Sequence, residues 1–425
     1  MLPACHAEAV MLATKIALVL VILIDVMGQG LAFPIFSALM LSETSSMVAS
    51  GTSASTRQLL YGLVIAVFFI AWFFGSIYIA RISDSVGRRR GILLCLTGAL
   101  AGYALTILAI ILSSFWLLVV SRVITGFTAG NQPIAQAALI DLAQDDDEKQ
   151  RNLGLAVLGA SLGLVSGPIL GGLFSGGPFA ATVQLSMVPP FVAGAAVVLA
   201  TLVFVALVFH ETSNTRVPLD IRPQAILSLL WAITRHPMTM RISIVYTLYM
   251  LSFVTFYIFF DTSLEERFGY STEGQSVGML VMGATLALTS LFLLPFFNRL
   301  ASPSGLIVRG IVLEVAIVGV FATVDNVAVA FIVIALMGAL HAVLLPIFFG
   351  LYSQSASAED QGWVMGVSIA LFTLASAVAS LAGGLFGTEA DSGPFVFASI
   401  VGVTALCAIA VVWRGHLTGQ PTPAE

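Results

Sequence analysis

The chain has 425 residues, 59% of them hydrophobic and only 9% charged, with a net charge of -5. Soluble globular domains carry about 25% charged residues, so a soluble fold is excluded, and so sparse a charge offers no surface for nucleic acid. The sequence shows no nucleophile–base pair, no metal-ligand cluster and no Gly-x-x-x-x-Gly-Lys-Ser/Thr phosphate loop, which argues against an enzyme, a metal or other cofactor, and an ATP-driven pump.

A bilayer-spanning helix needs about 20 apolar residues, and the chain divides into twelve such stretches joined by short polar segments. The first six are expected at 11–40, 57–79, 91–112, 115–139, 154–174 and 190–209, and the last six begin near 242, 273, 305, 326, 363 and 394. The first run is not a cleavable signal, because it carries Asp25 and continues past Pro34. A Ser/Thr-rich loop covers 42–56, a basic turn covers 81–90, and a charged joint covers 141–151. The longest polar stretch, 210–241, divides the chain into a six-helix half at 1–209 and a second at 242–425. Cys5, Cys95 and Cys407 have no disulfide or metal spacing and read as packing residues.

Lys and Arg fall almost wholly on alternate joints. The even joints carry Arg81, Arg88, Arg89, Arg90, Lys149, Arg151, Arg216, Arg222, Arg235, Arg241, Arg299 and Arg309, and the odd joints only Arg57 and Arg267. The positive-inside rule then puts both termini and the central loop in the cytoplasm of a multi-pass cell-membrane protein, expected in a bacterial inner membrane. An even number of spans agrees.

A few polar residues lie where lipid or packed helices should be. Asp25 lies mid-helix, where a charge costs about 2.5–3.5 kcal/mol on insertion scales, so it needs a partner, water or a proton. Gln29 shares its helix face. The bland reading is a structural hydrogen bond; the functional one is a proton acceptor. Arg122 is the only basic residue inside an apolar helix, followed by Gly126, Gly130, Asn131, Gln132, Pro133 and Gln136. A guanidinium cannot discard its charge, so it is either paired, with Asp25, Gln29 or helix carbonyls as candidates, or snorkels to the surface. Glu314 in the ninth span and His341 in the tenth are candidate second proton sites; the alternatives are a place near the inner surface for Glu314 and a packing role for His341. Tyr246, Tyr249, Phe253, Phe256 and Tyr257 repeat at helical spacing, with Phe348 and Tyr352 on the tenth span. Such aromatics usually face lipid or core, but some can line a solute cavity. Asp261, Glu265 and Glu266 read as a solvated rim.

In the 2–3 turn, Asp84, Gly87, Arg88 and Arg89 precede the third span. The arginines anchor the membrane surface. Asp84 is expected to meet the N-terminus of a facing helix, and Arg88 or Arg89 to pair with Asp141 as a cytoplasmic gate. In the fifth span Gly163, Gly167 and Gly171 stack on one helix face, where small residues let helices pack backbone to backbone. Pro168 lies among them, followed by Gly172, and is expected to bend the helix. Gly171-Gly172-Leu173-Phe174 recurs as Gly383-Gly384-Leu385-Phe386, with a Gly-Pro-Phe turn after each copy at 177–179 and 393–395. The repeat matches the fifth span to the eleventh, as expected for two similar halves around a midplane cavity.

Together these pieces resemble the major facilitator superfamily, in particular its drug:proton antiporter branch of tetracycline and multidrug exporters. Asp25-x-x-Gly28-x-Gly30-Leu31-x-x-Pro34 is similar to that branch's first-helix signature, Asp84-x-x-Gly87-Arg88-Arg89 to the loop 2–3 motif, and Arg122 with Gly126 and Gly130 to the fourth-helix motif. Gly163-x-x-x-Gly167-Pro168-x-x-Gly171-Gly172 resembles the fifth-helix motif of its exporters. Ala80 and Ser85 depart from the loop motif, and its second-half copy around Asn298, Arg299 and Gly305 is eroded. The resemblance implies an all-α membrane protein of twelve helices in two pseudo-symmetric halves, exporting a drug-like or amphiphilic small molecule by proton antiport. Asp25 and Arg122 would then couple protons. Gln29, Asn131, Gln132, Gln136, Tyr249, Phe253, Tyr257 and His341 would face substrate. The expected partners are protons, the solute and the lipid bilayer, with the chain acting as a monomer. Export of one polar metabolite, such as a siderophore or sugar, is an alternative, as is a non-transporting sensor or assembly partner.

Overall fold

A computed structural model describes residues 4–175, 183–212, 231–293, 302–356, 361–387 and 392–413. Its regular elements are all helical, with no strand among the described residues. They are α1 Ala4–Leu41, α2 Ala54–Val86, α3 Arg88–Ile111, α4 Phe115–Phe127, α5 Asn131–Asp141, α6 Asp146–Phe174, the single turn α7 Val183–Ser186, and α8 Val188–Val208. Then come α9 Pro237–Phe268, α10 Thr272–Leu288 with a π-helical turn at Thr289–Leu293, α11 Pro303–Thr323, α12 Val327–Gln354, α13 Gln361–Phe386 and α14 Gly393–Val412. Eleven of them are long and apolar enough to cross a membrane. The twelfth crossing is shared by α4 and α5, of 13 and 11 residues, neither long enough alone.

That break corrects the expected continuous helix at 115–139. Pro133, third residue of α5, has no N–H to return to the Ala129 carbonyl, and Gly130 supplies the N-cap. The segment before the break is wedged against α2. A Cβ on Gly126 would stand 2.2 Å from the Phe68 carbonyl oxygen, and one on Gly75 only 2.0 Å from that of Phe127. The expected turn at 81–90 is likewise shorter than the sequence indicates. Gly87 alone separates α2 from α3, at φ 105, a left-handed conformation that favours glycine.

The helices form two compact units. One comprises Met1–Ser53, Val67–Arg222 and Ser271–Leu280, and the other Ala54–Ala66, Pro223–Tyr270 and Val281–Glu425. In the first, α1 lies along α6, with α5 and α8 also against it. The glycine stripe makes that contact. Cβ atoms on Gly159, Gly163 and Gly167 would come 2.7, 2.4 and 2.4 Å from the carbonyl oxygens of Val19, Leu23 and Met27. Both rows advance by four residues, so the backbones meet at one-turn intervals. Gly171, expected in the stripe, is looser, at 3.4 Å from Ser276 Oγ, and Gly172 is half-buried. Helix α6 runs unbroken through Pro168, whose Cδ fills the space a Cβ on Gly30 would need. In the second unit α9 packs on α13 and α14, and α11 on α12 and α14. The two Gly-Gly-Leu-Phe copies end at matching places, Phe174 closing α6 and Phe386 closing α13. The first copy's turn lies outside the described residues, as do Arg216, Arg222, Asn298 and Arg299.

At the start of α6, Asp145 accepts from Glu148 N–H, while Glu148 accepts from Gln144 N–H and from Lys15 Nζ at 2.8 Å. The Lys15 hydrogen bond holds the Glu148 carboxyl below its ordinary value of 4.5. A depressed folded-state pKa contributes stability that is present above that value and lost as pH falls through the lower one. Glu148→Gln is therefore expected to flatten the acid side of the melting-temperature profile in detergent. An unchanged profile below pH 4.5 would remove Glu148 from the acid response.

Candidate functional site

The first unit contains a cavity of about 40 Å³, lined by Asp25 and Gly28 from α1, Phe68 from α2, Tyr103 from α3, Arg122 and Thr125 from α4, and Phe191 from α8, among others. It has room for a short file of waters. Asp25 and Arg122, singled out separately in the sequence, thus share one chamber. They do not pair: no ion pair joins them among the described residues.

Each has its own partners. Asp25 Oδ2 accepts from the backbone N–H of Gln132 at 3.0 Å, and Oδ1 from Asn131 Nδ2 at 3.3 Å. Both donors belong to the first turn of α5, whose N–H groups have no helical acceptor. When ionised, the carboxyl is an anion set on the helix's positive end. The break in the fourth crossing is what exposes that end at the depth of Asp25. Arg122 donates from Nη2 to Thr106 Oγ1 at 2.7 Å and from Nε to Ser121 Oγ at 3.4 Å, and its guanidinium lies 4.7 Å from the centre of the Phe36 ring. It is 6% exposed, so it is a buried cation and not a snorkelling one. Gln29 and Gln136 are half-buried and do not line the chamber.

Asp84 pairs with Arg88 at 2.5 Å, one turn along, and Arg88 Nε reaches Asp141 at 3.5 Å. Arg89 donates to the Ala206 carbonyl at 2.7 Å. The N-terminus of α3 is met by Glu211, whose Oε1 accepts from Arg88 N–H at 2.8 Å. A side chain at Gly87 would collide with that carboxylate, at 2.0 Å. Nothing in the sequence marks Glu211, which sits at the edge of a long polar stretch.

The second unit gathers the remaining candidates. Tyr249 hydroxyl lies 2.8 Å from His341 Nδ1, and Phe253 stacks on the imidazole at 3.7 Å between centres and 5° between planes. Tyr257 continues the stack from Phe253 at 6.0 Å, and Phe348 flanks Tyr249 at 5.3 Å. Tyr352 donates to Ser243 Oγ at 3.0 Å. Glu314 is fully buried, with Ser252 the side chain set against its carboxyl group. The solvated rim is corrected: Asp261 is fully buried, Glu265 half-buried, and only Glu266 exposed, taking a 2.8 Å bond from Gln58 Nε2.

Twelve membrane crossings with a buried acid and guanidinium on one chamber inside the helix bundle describe a solute carrier. A Major Facilitator Superfamily profile matches residues 18–316, and the chain belongs to that superfamily. It is 27% identical over 377 residues to the Escherichia coli "Tetracycline resistance protein, class B", covering 84% of each chain. It is 26% identical over 379 residues to the human "Major facilitator superfamily domain-containing protein 10", covering 83% of this chain and 76% of that one. Among solved structures, the human organic anion transporter MFSD10 (TETRAN) superposes with a TM-score of 0.70 at 20% identity, over 94% of this chain and 99% of that one. A D-xylose-proton symporter gives 0.72 at 14%, over 94% and 97%. The protein is a multi-pass membrane transporter of a small molecule, not an enzyme, with the superfamily's fold of twelve helices in two pseudo-symmetric six-helix halves.

Proposed function

We propose that the protein exports a drug-like or amphiphilic small molecule in exchange for entering protons, working as a monomer in a bacterial inner membrane with both termini cytoplasmic. The observation that carries this is Asp25 on the N-terminus of α5, in one chamber with Arg122. As a carboxylate, Asp25 holds α5 by charge; when it takes a proton, that attraction falls away. A proton thereby changes how firmly α1 grips the second half of a broken helix, which is the local event alternating access requires. The moving bodies are the halves 1–209 and 242–425, linked by 210–241, and Asp84, Arg88, Arg89 and Asp141 with Gly87 form the cytoplasmic gate. Glu314 is a second proton site. Substrate is met by Gln29, Asn131, Gln132 and Gln136 and by Tyr249, Phe253, Tyr257 and His341.

Tetracyclines head the substrate panel because the class B relative's name concerns them. Organic anions come second, because the similar human structure is that of an organic anion transporter and Arg122 is a buried cation. The test is solute-induced proton flux in proteoliposomes with an internal pH dye, using tetracycline, an amphiphilic cation, an organic anion, a sugar and an iron chelator. A proton signal from tetracycline or several amphiphiles is expected. A signal from the sugar or chelator alone would replace this reading with a dedicated metabolite exporter, and silence from folded protein would defeat it.

A further inference from the structure

We propose that Tyr103 is the hydroxyl through which protons reach Asp25, an inference that rests on the proton-acceptor reading of Asp25. Its hydroxyl is buried and has no hydrogen-bond partner among the described residues, whereas a buried phenol normally finds one. It is one of the residues lining the chamber shared by Asp25 and Arg122, and these three are the titratable or charged groups of that lining.

The position of the phenol is fixed by two glycines. A Cβ on Gly194 would stand 2.5 Å from Tyr103 Cε1, so α8 leaves the ring its place, and Phe191 meets it edge-on at 5.9 Å. A Cβ on Gly28 would stand 3.2 Å from the hydroxyl oxygen. Gly28 lies three residues after Asp25, on the same face of α1. The oxygen is therefore set against the helix surface that carries the acid, on a residue lining a space with room for a few waters. Packing alone would be served by phenylalanine, which fills the same volume without a buried polar atom that must be satisfied.

The step balances simply. A hydronium in the chamber gives a proton to the phenol oxygen and becomes water, while the phenol's own proton passes to a carboxylate oxygen of Asp25. The phenol is regenerated and Asp25 becomes the neutral acid. Tyr103 is thus a relay, and Gly28 and Gly194 position it.

The test needs no substrate. Protein in lipid is followed by infrared spectroscopy after a downward pH jump, and the carboxylic-acid C=O band lost in Asp25→Asn is assigned to Asp25. In Tyr103→Phe that band is expected to appear at least about 100-fold more slowly, the lower end of what a lost proton-transfer group costs. Gly28→Ala, which keeps the phenol but crowds its oxygen, is expected to slow the band as well. It carries the test should Tyr103→Phe not fold. A folded Tyr103→Phe protein with the wild-type band and rate overturns the relay and leaves the role of Asp25 standing. A spectrum with no band sensitive to Asp25→Asn overturns that role, and the relay with it.

Discussion

Replacing Asp25 by Asn will stop solute movement against its gradient while leaving the protein folded. Asparagine keeps the size of the side chain and an oxygen that can accept from Gln132 N–H, the 3.0 Å bond that ties α1 to α5. It removes the negative charge and the capacity to load a proton. Proton-transfer groups contribute about 10²–10⁴-fold, so uphill transport of a solute found active in the flux assay is expected to fall at least about 100-fold. Exchange of labelled for unlabelled solute at equal concentrations needs no net proton movement and should persist. Uphill transport by Asp25→Asn at the wild-type rate across pH would end the proposed coupling.

The second large effect is expected from Gly163→Leu or Gly167→Leu. Their Cβ atoms would fall 2.4 Å from the carbonyl oxygens of Leu23 and Met27, and a carbonyl in the middle of a helix cannot rotate away. The helices must part, and overpacking of this kind costs about 1–3 kcal/mol or more per site. A chain of this size loses roughly 1 °C in melting temperature per kcal/mol, so each variant should melt measurably lower in detergent, and the double variant lower still. Gly154→Ala is the control, with nothing within 4 Å of the added Cβ. If Gly163→Leu melted like Gly154→Ala, the backbone-to-backbone contact of α1 and α6 would not be a source of stability.

Asp25, Arg122 and the glycine stripe are legible in the sequence because each breaks a strong compositional rule. An acid, a guanidinium or a row of side-chain-free positions in an apolar helix needs a specific neighbour. The neighbours themselves are not legible. Asp25 meets the Asn131 side-chain amide and the backbone N–H of Gln132, a group every residue but proline possesses, so no sequence signal marks the pairing. Arg122 meets Thr106 and Phe36, types too common in membrane helices to stand out. The break at 128–130 has its signals in Gly126, Gly130 and Pro133, but the apolar run around them outweighs three punctuating residues. Tyr103 escapes notice because one tyrosine in an apolar helix looks like packing, and only the structure shows its hydroxyl buried without a partner on a residue that lines the cavity. Asp261 misleads for the opposite reason: its neighbours Glu265 and Glu266 suggest water, yet a helix can bury one acid and expose another five residues on.

The divided fourth crossing also bears on how the chain enters the membrane as it is made. Residues 115–141 reach the insertion machinery with an arginine in the first segment and a proline and glycines near the middle. An arginine at the centre of a nascent helix carries a penalty of about 2.5–3.5 kcal/mol, and neither segment is long enough to offset it by itself. Thr106, which takes the guanidinium's hydrogen bond, sits on the helix made just before. Asp25, which holds the second segment, sits on the first helix of all. The fourth crossing thus depends on helices synthesised earlier, and its order in the chain, after both of its partners, is what allows a costly segment to settle in lipid.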